Sequence, residues 1–133
     1  EGCRLALCSR DQQKIQTAAD EIRKETGAEV FAQAVDVSSE YEVQQFIAST
    51  IRQFGQVDIC VANAGGPPSK TFEETTTQDW ESAVQMNLMG TLFFAQAVLP
   101  GMKARQWGRF ITITSTSVKQ PKCRDRSGQD SLQ

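Results

Sequence analysis

Val57-Asp58-Ile59-Cys60-Val61-Ala62-Asn63-Ala64-Gly65-Gly66 is the stretch on which the fold turns. Residues 59–62 form an apolar run too short for a helix between its flanks and rich in β-branched side chains. That composition suits a strand buried on both faces of a sheet. The run then breaks into Asn63-Ala64-Gly65-Gly66-Pro67-Pro68. Small residues at the carboxyl end of a strand let backbone approach a ligand closely. In open α/β sheets that end is where ligands bind. The stretch therefore reads as a buried parallel strand running into a close-approach loop.

Working outward, the same alternation repeats. Residues 4–8 make a short apolar strand that ends at Ser9-Arg10-Asp11, and Asp11 is suited to cap a helix running to about Thr26. In that helix Ile15, Ala18, Ala19 and Ile22 share one face, and Gly27 is a natural stop. Residues 29–35 form a second strand ending at Asp36-Val37. Ser39 and Glu42 have the spacing of a capping box. The next helix points Val43, Phe46, Ile47 and Phe54 at a core and stops at Gly55. After the double proline, residues 69–76 read as loop. Thr76 or Thr77 caps a long helical stretch containing Trp80, Val84, Leu88, Leu92 and Ala95. Gly90 and Pro100 predict a kink or break in it, and Gly108 its end. A last strand, 109–114, leads into Thr114-Ser115-Thr116-Ser117. Strand, helix, strand, helix, strand, helix, strand implies right-handed βαβ crossovers and a parallel sheet with helices on both faces.

Composition narrows the function classes. The 133 residues suffice for one domain with a modest core, and the formal net charge is −2 with both signs interspersed. No basic stripe suggests nucleic acid, and no window is expected to reach the apolar length of a membrane span. Glu1-Gly2 lead straight into strand-like sequence, without a leader-like run, and the expected location is cytoplasmic. Four cysteines without Cys-x-x-Cys spacing, three of them in apolar runs, read as reduced buried thiols. The chain has no histidine, which excludes Ser-His-Asp and Cys-His chemistry and most zinc sites from these residues alone; no metal site is expected. Residues 119–133 lack aromatic side chains and are mostly polar, so a disordered tail is expected after a domain spanning 1–118.

Several signals in order carry a family resemblance: Ser9-Arg10 after one strand, Asp36-Val37 after the next, Asn63-Ala64-Gly65 after the third. Asp79-Trp80, Asn87-Leu88-Met89-Gly90 and Gly108-Arg109-Phe110-Ile111 leading to Ser115 follow. Over about residues 2–121 the chain resembles the short-chain dehydrogenase/reductase family, within it the β-ketoacyl carrier-protein reductases. The resemblance implies a doubly wound, Rossmann-like sheet and hydride transfer between NADP(H) and a carbonyl or secondary alcohol. Ser9 and Arg10 would meet the adenosine ribose, where arginine suits a 2′-phosphate and NADP is favoured over NAD. A surface arginine near a helix start is the alternative. Asp36 would accept from the adenine amino group, and Val37 would supply a backbone contact. A turn aspartate is nearly as good a reading of Asp36. Asn63, Ala64 and Gly65 would brace the sheet along the cofactor ribose. Asn87, a poor mid-helix residue, would support a proton relay at a local distortion; a helix-surface asparagine is the alternative. Ser115 would hydrogen-bond the substrate carbonyl, with Ser117 its nearby competitor.

Departures from the family pattern matter as much. The family opens with a strand and a glycine-rich turn that seats pyrophosphate on a helix N-terminus; this chain has no Gly-x-Gly. The family's acid is a tyrosine with lysine four residues on, whereas the sole tyrosine here, Tyr41, is followed by Gln45. The expectation is a partial doubly wound sheet lacking its first strand and its C-terminal strands, a reductase truncated at both ends and catalytically incomplete. The alternative is a non-catalytic fragment with weak nucleotide binding or edge-strand association. In the doubly wound order the absent strand would lie between residues 4–8 and 59–62. Either a collapsed pairing of those two strands or poor solubility is expected. Small-molecule substrates are the expected partners, and a homo-oligomer the expected full-length state.

Overall fold

The computed structural model describes residues 2–63, 65 and 70–114, together with the backbone of 123–124 and 130–131. Strand β1 (Leu5–Ser9) runs into helix α1 (Gln12–Thr26). Asp11 caps α1 by accepting from the Lys14 amide, and Gly27 closes it at φ 69°, a left-handed conformation that glycine adopts without Cβ strain. Strand β2 (Val30–Ala34) and helix α2 (Glu40–Phe54) follow, then β3 (Ile59–Ala62). A short 3₁₀ turn (Phe72–Glu74) precedes helix α3 (Thr77–Val84), a π-helical turn (Gln85–Met89), helix α4 (Gly90–Ala104) and strand β4 (Arg109–Thr112). Two-residue strands β5 (Cys123–Arg124) and β6 (Asp130–Ser131) pair antiparallel. The remaining residues of 119–133, for which a disordered tail is expected, lie outside the described set.

The strands pair in parallel, as the alternation requires: β1 with β2, and β3 with β4. Each pair shares a core made by α2 and α4. Val43, Phe46 and Ile47 from α2 meet Phe93, Phe94, Val98 and Met102 from α4, with Val35 and Cys60 from the sheet side. Phe46 is the centre of this contact, stacked on Phe31 at 5.9 Å and edge-on to Phe94 at 6.4 Å. Truncating such a ring leaves a cavity as well as lost burial, and costs about 3–5 kcal/mol. Helix α1 lies against β1 and β2, where Ala19 and Val30 are buried apart from that cluster.

The two strand pairs do not join. Among the described residues β1 bonds only to β2, and β3 only to β4. A cleft of about 540 Å³ separates them, lined along its length by Leu5, Leu7 and Cys8 on one wall and Ile59, Cys60 and Val61 on the other. The expected collapse of these strands onto each other does not occur. The α2–α4 packing beneath them holds each pair by its own core residues. The same opening corrects the reading of β3 as buried on both faces: Cys60 and Ala62 are buried, but Ile59 and Val61 are 52% and 55% exposed. Alternate side chains of a strand point to opposite faces, and only one face of β3 is covered.

Three local expectations also change. The long helix does not end at Gly108: α4 stops at Ala104, and the turn beyond it is made by Gln106 at φ 55°. Gly108 instead lies against Met102, whose side chain an added Cβ would overlap. Pro100 sits within α4 without ending it. Of the cysteines read as buried, Cys3 is exposed. Finally, α3, the π turn and α4 run on as one helix, Thr77–Ala104, long and apolar enough by length and composition to cross a membrane, contrary to the sequence expectation. Part of that apolarity is core: Phe93, Phe94, Val98 and Met102 are buried. The rest is an uncovered stripe, Trp80, Val84, Leu88 and Leu92, at spacing i, i+4.

Candidate nucleotide-binding rim

The strand ends converge. Ser9 is in register with Ala34, and the Val35 amide donates to Ser9 O at 2.9 Å, so Arg10 and Asp36 leave neighbouring strands at the same edge. Likewise Ala62 is in register with Thr112, and the Ile113 amide donates to Ala62 O at 3.0 Å. Helix α4 ties the two pairs together: its first residue, Gly90, lies against Val37 just beyond β2, while Arg105 at its far end donates to Val57 O, before β3, at 2.8 Å, so the four carboxyl ends lie on one side of the molecule.

The turn after β2 is the most tightly held part of that rim. Asp36 Oδ1 accepts from the Ser38 amide at 3.0 Å and from the Ser38 hydroxyl at 2.7 Å. These two bonds, side chain first, draw the Asp36 carboxyl below its ordinary range, helped by the nearby Arg10 guanidinium and opposed by partial desolvation. Among the described residues none donates to Asp36 Oδ2. The Asp36 amide donates to Glu42 Oε2 at 2.7 Å. Glu42 therefore does not complete the expected reciprocal box with Ser39. Ser39 does accept from the Glu42 amide, at 3.4 Å, but the glutamate reaches past it to the turn. From the opposite side, Gln85 Nε2 donates to Ser38 O at 2.9 Å, across 47 residues of sequence. A few residues on, α4 approaches the turn so closely that a Cβ at Gly90 would lie 2.9 Å from Val37 O. Gly90 is thus a contact glycine rather than a hinge.

The other anticipated residues take varied positions. Ser9 Oγ accepts from the Asp11 amide at 3.1 Å, so its hydroxyl shapes the turn into α1. Arg10 is exposed and shares a second cavity, of about 390 Å³, with Asp36 and Ser38. Asn63 and Gly65 are exposed at the end of β3. Asn87 lies in the π turn, the distortion anticipated for it. Its Nδ2 donates to Ala83 O at 2.9 Å, and its own carbonyl accepts from Thr91 Oγ1 at 2.8 Å. π turns put one extra residue into a helical turn and displace the carbonyls from their usual partners. Ala64, Ser115 and Ser117 lie outside the described residues. Sequence reading missed Ser38, Glu42 and Gln85 as turn-fixing groups.

The comparisons with known proteins fit this arrangement. Residues 1–124 match the short chain dehydrogenase family model. An uncharacterized oxidoreductase of Staphylococcus saprophyticus is 34% identical over 117 residues, covering 88% of this chain and 50% of that protein. A variant of actinorhodin polyketide ketoreductase crystallised with NADPH superposes with TM-score 0.83 at 32% identity, over 89% of this chain and 46% of its own. A 7α-hydroxysteroid dehydrogenase in complex with NADH and 7-oxo glycochenodeoxycholic acid superposes with TM-score 0.81 at 29% identity, over 88% of this chain and 45% of its own. The chain thus spans about half the length of the relatives it matches, and its two parallel strand pairs are part of their Rossmann-like sheet. With its ordered strand ends, its Asp36 turn and this match over nearly its whole length, the chain belongs to the short-chain dehydrogenase/reductase family of oxidoreductases.

Proposed function

We propose that these residues form the nucleotide-binding part of an enzyme that moves hydride between NADP(H) and a small carbonyl or secondary-alcohol substrate. The observation that supports it is the convergence of four strand ends on one edge, beside a turn that presents a carboxylate and an arginine together. The nicotinamide, when bound, supplies the hydride. The residues present fit the adenosine end. Asp36 Oδ2 is available to accept from an exocyclic amine, the exposed Arg10 suits a 2′-phosphate, and the Val37 backbone stands at the cleft. Asn63, Ala64 and Gly65 would lie along the ribose, Ser115 would orient the carbonyl, and Asn87 would support a proton relay from the π turn. The uncovered apolar stripe on α3 and α4 supports a homo-oligomer for the full-length protein, proposed to be cytoplasmic.

Two features support catalytic incompleteness of the chain by itself. No Gly-x-Gly exists to seat a pyrophosphate, and Tyr41, on α2, is 70% exposed and followed by Gln45 rather than lysine. Titration of this chain with NADPH, followed by nucleotide fluorescence, is expected to show weak, saturable binding without ketone reduction. No binding at millimolar cofactor supports instead a non-catalytic fragment, a reading favoured by the open edges of β1 and β3. Turnover of a keto ester would refute incompleteness. Arg10→Ala removes a charge-assisted phosphate contact and should weaken NADPH by about tenfold or more while leaving NADH nearly unchanged. Equal losses would overturn the 2′-phosphate assignment.

A further inference from the structure

Helix α3 and the π turn that follows it form the outer wall of the cavity that contains Arg10 and Asp36: α3 brings Glu81 and Ser82 to that wall and the π turn brings Gln85. Among the described residues Arg10 is the one cation lining this cavity, and Glu81 adds a second carboxylate to that of Asp36. The ion pairs among the described residues are Lys14–Asp11, Arg23–Asp20, Lys70–Asp79 and Arg105–Asp58; neither Arg10 nor Glu81 takes part in one. The wall is also fixed in place. Gln85, four residues and about one turn beyond Glu81, is bonded to Ser38 O at 2.9 Å, and Gly90 is in contact with Val37.

We propose that Glu81 is a specificity-determining residue of the adenosine site: its carboxylate opposes the 2′-phosphate that Arg10 attracts, and so narrows the preference for NADP(H) over NAD(H). The inference rests on the adenosine reading given above. Its size follows from Coulomb's law. Taken at about 7 Å, a separation of the order of the width of such a cavity, like unit charges in water repel by enough to change a binding constant roughly threefold. A 2′-phosphate carries nearly two charges, so the effect is about three- to tenfold at low ionic strength. Salt shortens the Debye length and removes most of it. Glu81 is exposed, so neutralising it leaves the packing of α3 intact.

The test uses the whole chain and two probes that need no pyrophosphate cradle, adenosine 2′,5′-bisphosphate and 5′-AMP, titrated by calorimetry at low and high salt. Glu81→Gln should tighten the bisphosphate about three- to tenfold at low salt, lose that gain at high salt and leave 5′-AMP unchanged. Glu81→Asp, which retains the charge, should behave as the parent. If parent and variant bind both probes identically, or if both probes shift together, the role of Glu81 is overturned and the adenosine reading stands. If the parent binds neither probe, the adenosine reading fails and this inference with it.

Discussion

Gly90→Ala tests whether the contact between α4 and the turn after β2 holds the rim in shape. The added methyl would stand 2.9 Å from Val37 O and 3.4 Å from Val37 Cγ2. The first distance is too short for an unstrained contact, and its partner is backbone rather than the tip of a flexible side chain. Nor is the turn free to retreat, since Glu42 holds the Asp36 amide at 2.7 Å and Gln85 holds Ser38 O at 2.9 Å. Two effects oppose each other. Alanine is a better helix former than glycine by about 1 kcal/mol. Overpacking a closed contact costs about 1–3 kcal/mol. The contact is expected to win by up to about 2 kcal/mol, which for a domain of this size lowers the melting temperature by up to roughly 10 °C. Thermal melting followed by far-UV circular dichroism measures this, and amide exchange at residues 36–38 should quicken in parallel. An alanine variant that melts at or above the parent, with unchanged exchange in the turn, would show that helix propensity governs this position and that the rim does not depend on the glycine.

Other expectations follow from single contacts. Gln85→Ala should leave global stability within about 1 kcal/mol, because one hydrogen bond is lost, yet raise amide exchange at Ser38 and Ser39; unchanged exchange there would refute the latch. Asp79 accepts from Lys70 Nζ and from the Thr76 amide and hydroxyl, bonds that draw its carboxyl down to about 2. A carboxyl lowered in the folded state stabilises above its unfolded value and loses that contribution as pH falls toward about 2. Tryptophan fluorescence, sensitive to the Phe72–Trp80 edge contact at 6.5 Å, should therefore change between about pH 4 and 2, and not in Asp79→Asn. Burial pushes the thiols of Cys8 and Cys60 up to about 11, so mass-spectrometric mapping of alkylation at mildly alkaline pH should find the exposed Cys3 labelled well before either. With β1 and β3 each unpaired on the cleft side among the described residues, the chain should self-associate in light scattering as concentration rises; a monodisperse monomer would contradict this.

Much of this was legible because it is local. The Asp11 cap, the Gly27 stop and the buried face Val43, Phe46, Ile47 and Phe54 all follow from periodicity and capping, which act over a few residues. Asp36-Val37 and Asn63-Ala64-Gly65 were recognisable as strand-end segments for the same reason. Contacts between elements were not legible. Glu42 has the spacing of a capping partner for Ser39, yet its carboxylate reaches the Asp36 amide, because the incoming chain turns back over the first turn of α2. Gly90 reads equally well as a helix breaker; only the approach of Val37 shows that a methyl group would not fit. Trp80, Val84, Leu88 and Leu92 form a helical stripe in the sequence, but nothing in their spacing says whether a neighbour covers them.

The order of βα units, the parallel pairing that such crossovers impose and the residues delivered to the strand ends are all readable from the amino-acid order, because short-range sterics and hydrophobic period act before any tertiary contact forms. Only the packing of elements against one another settled that the two strand pairs stay apart, that Gln85 and Gly90 seat the long helix on the turn of Asp36, and that Glu81 and Arg10 line one cavity. Those outcomes depend on how α2 and α4 pack beneath the strands, and packing joins residues that lie dozens of positions apart in the chain.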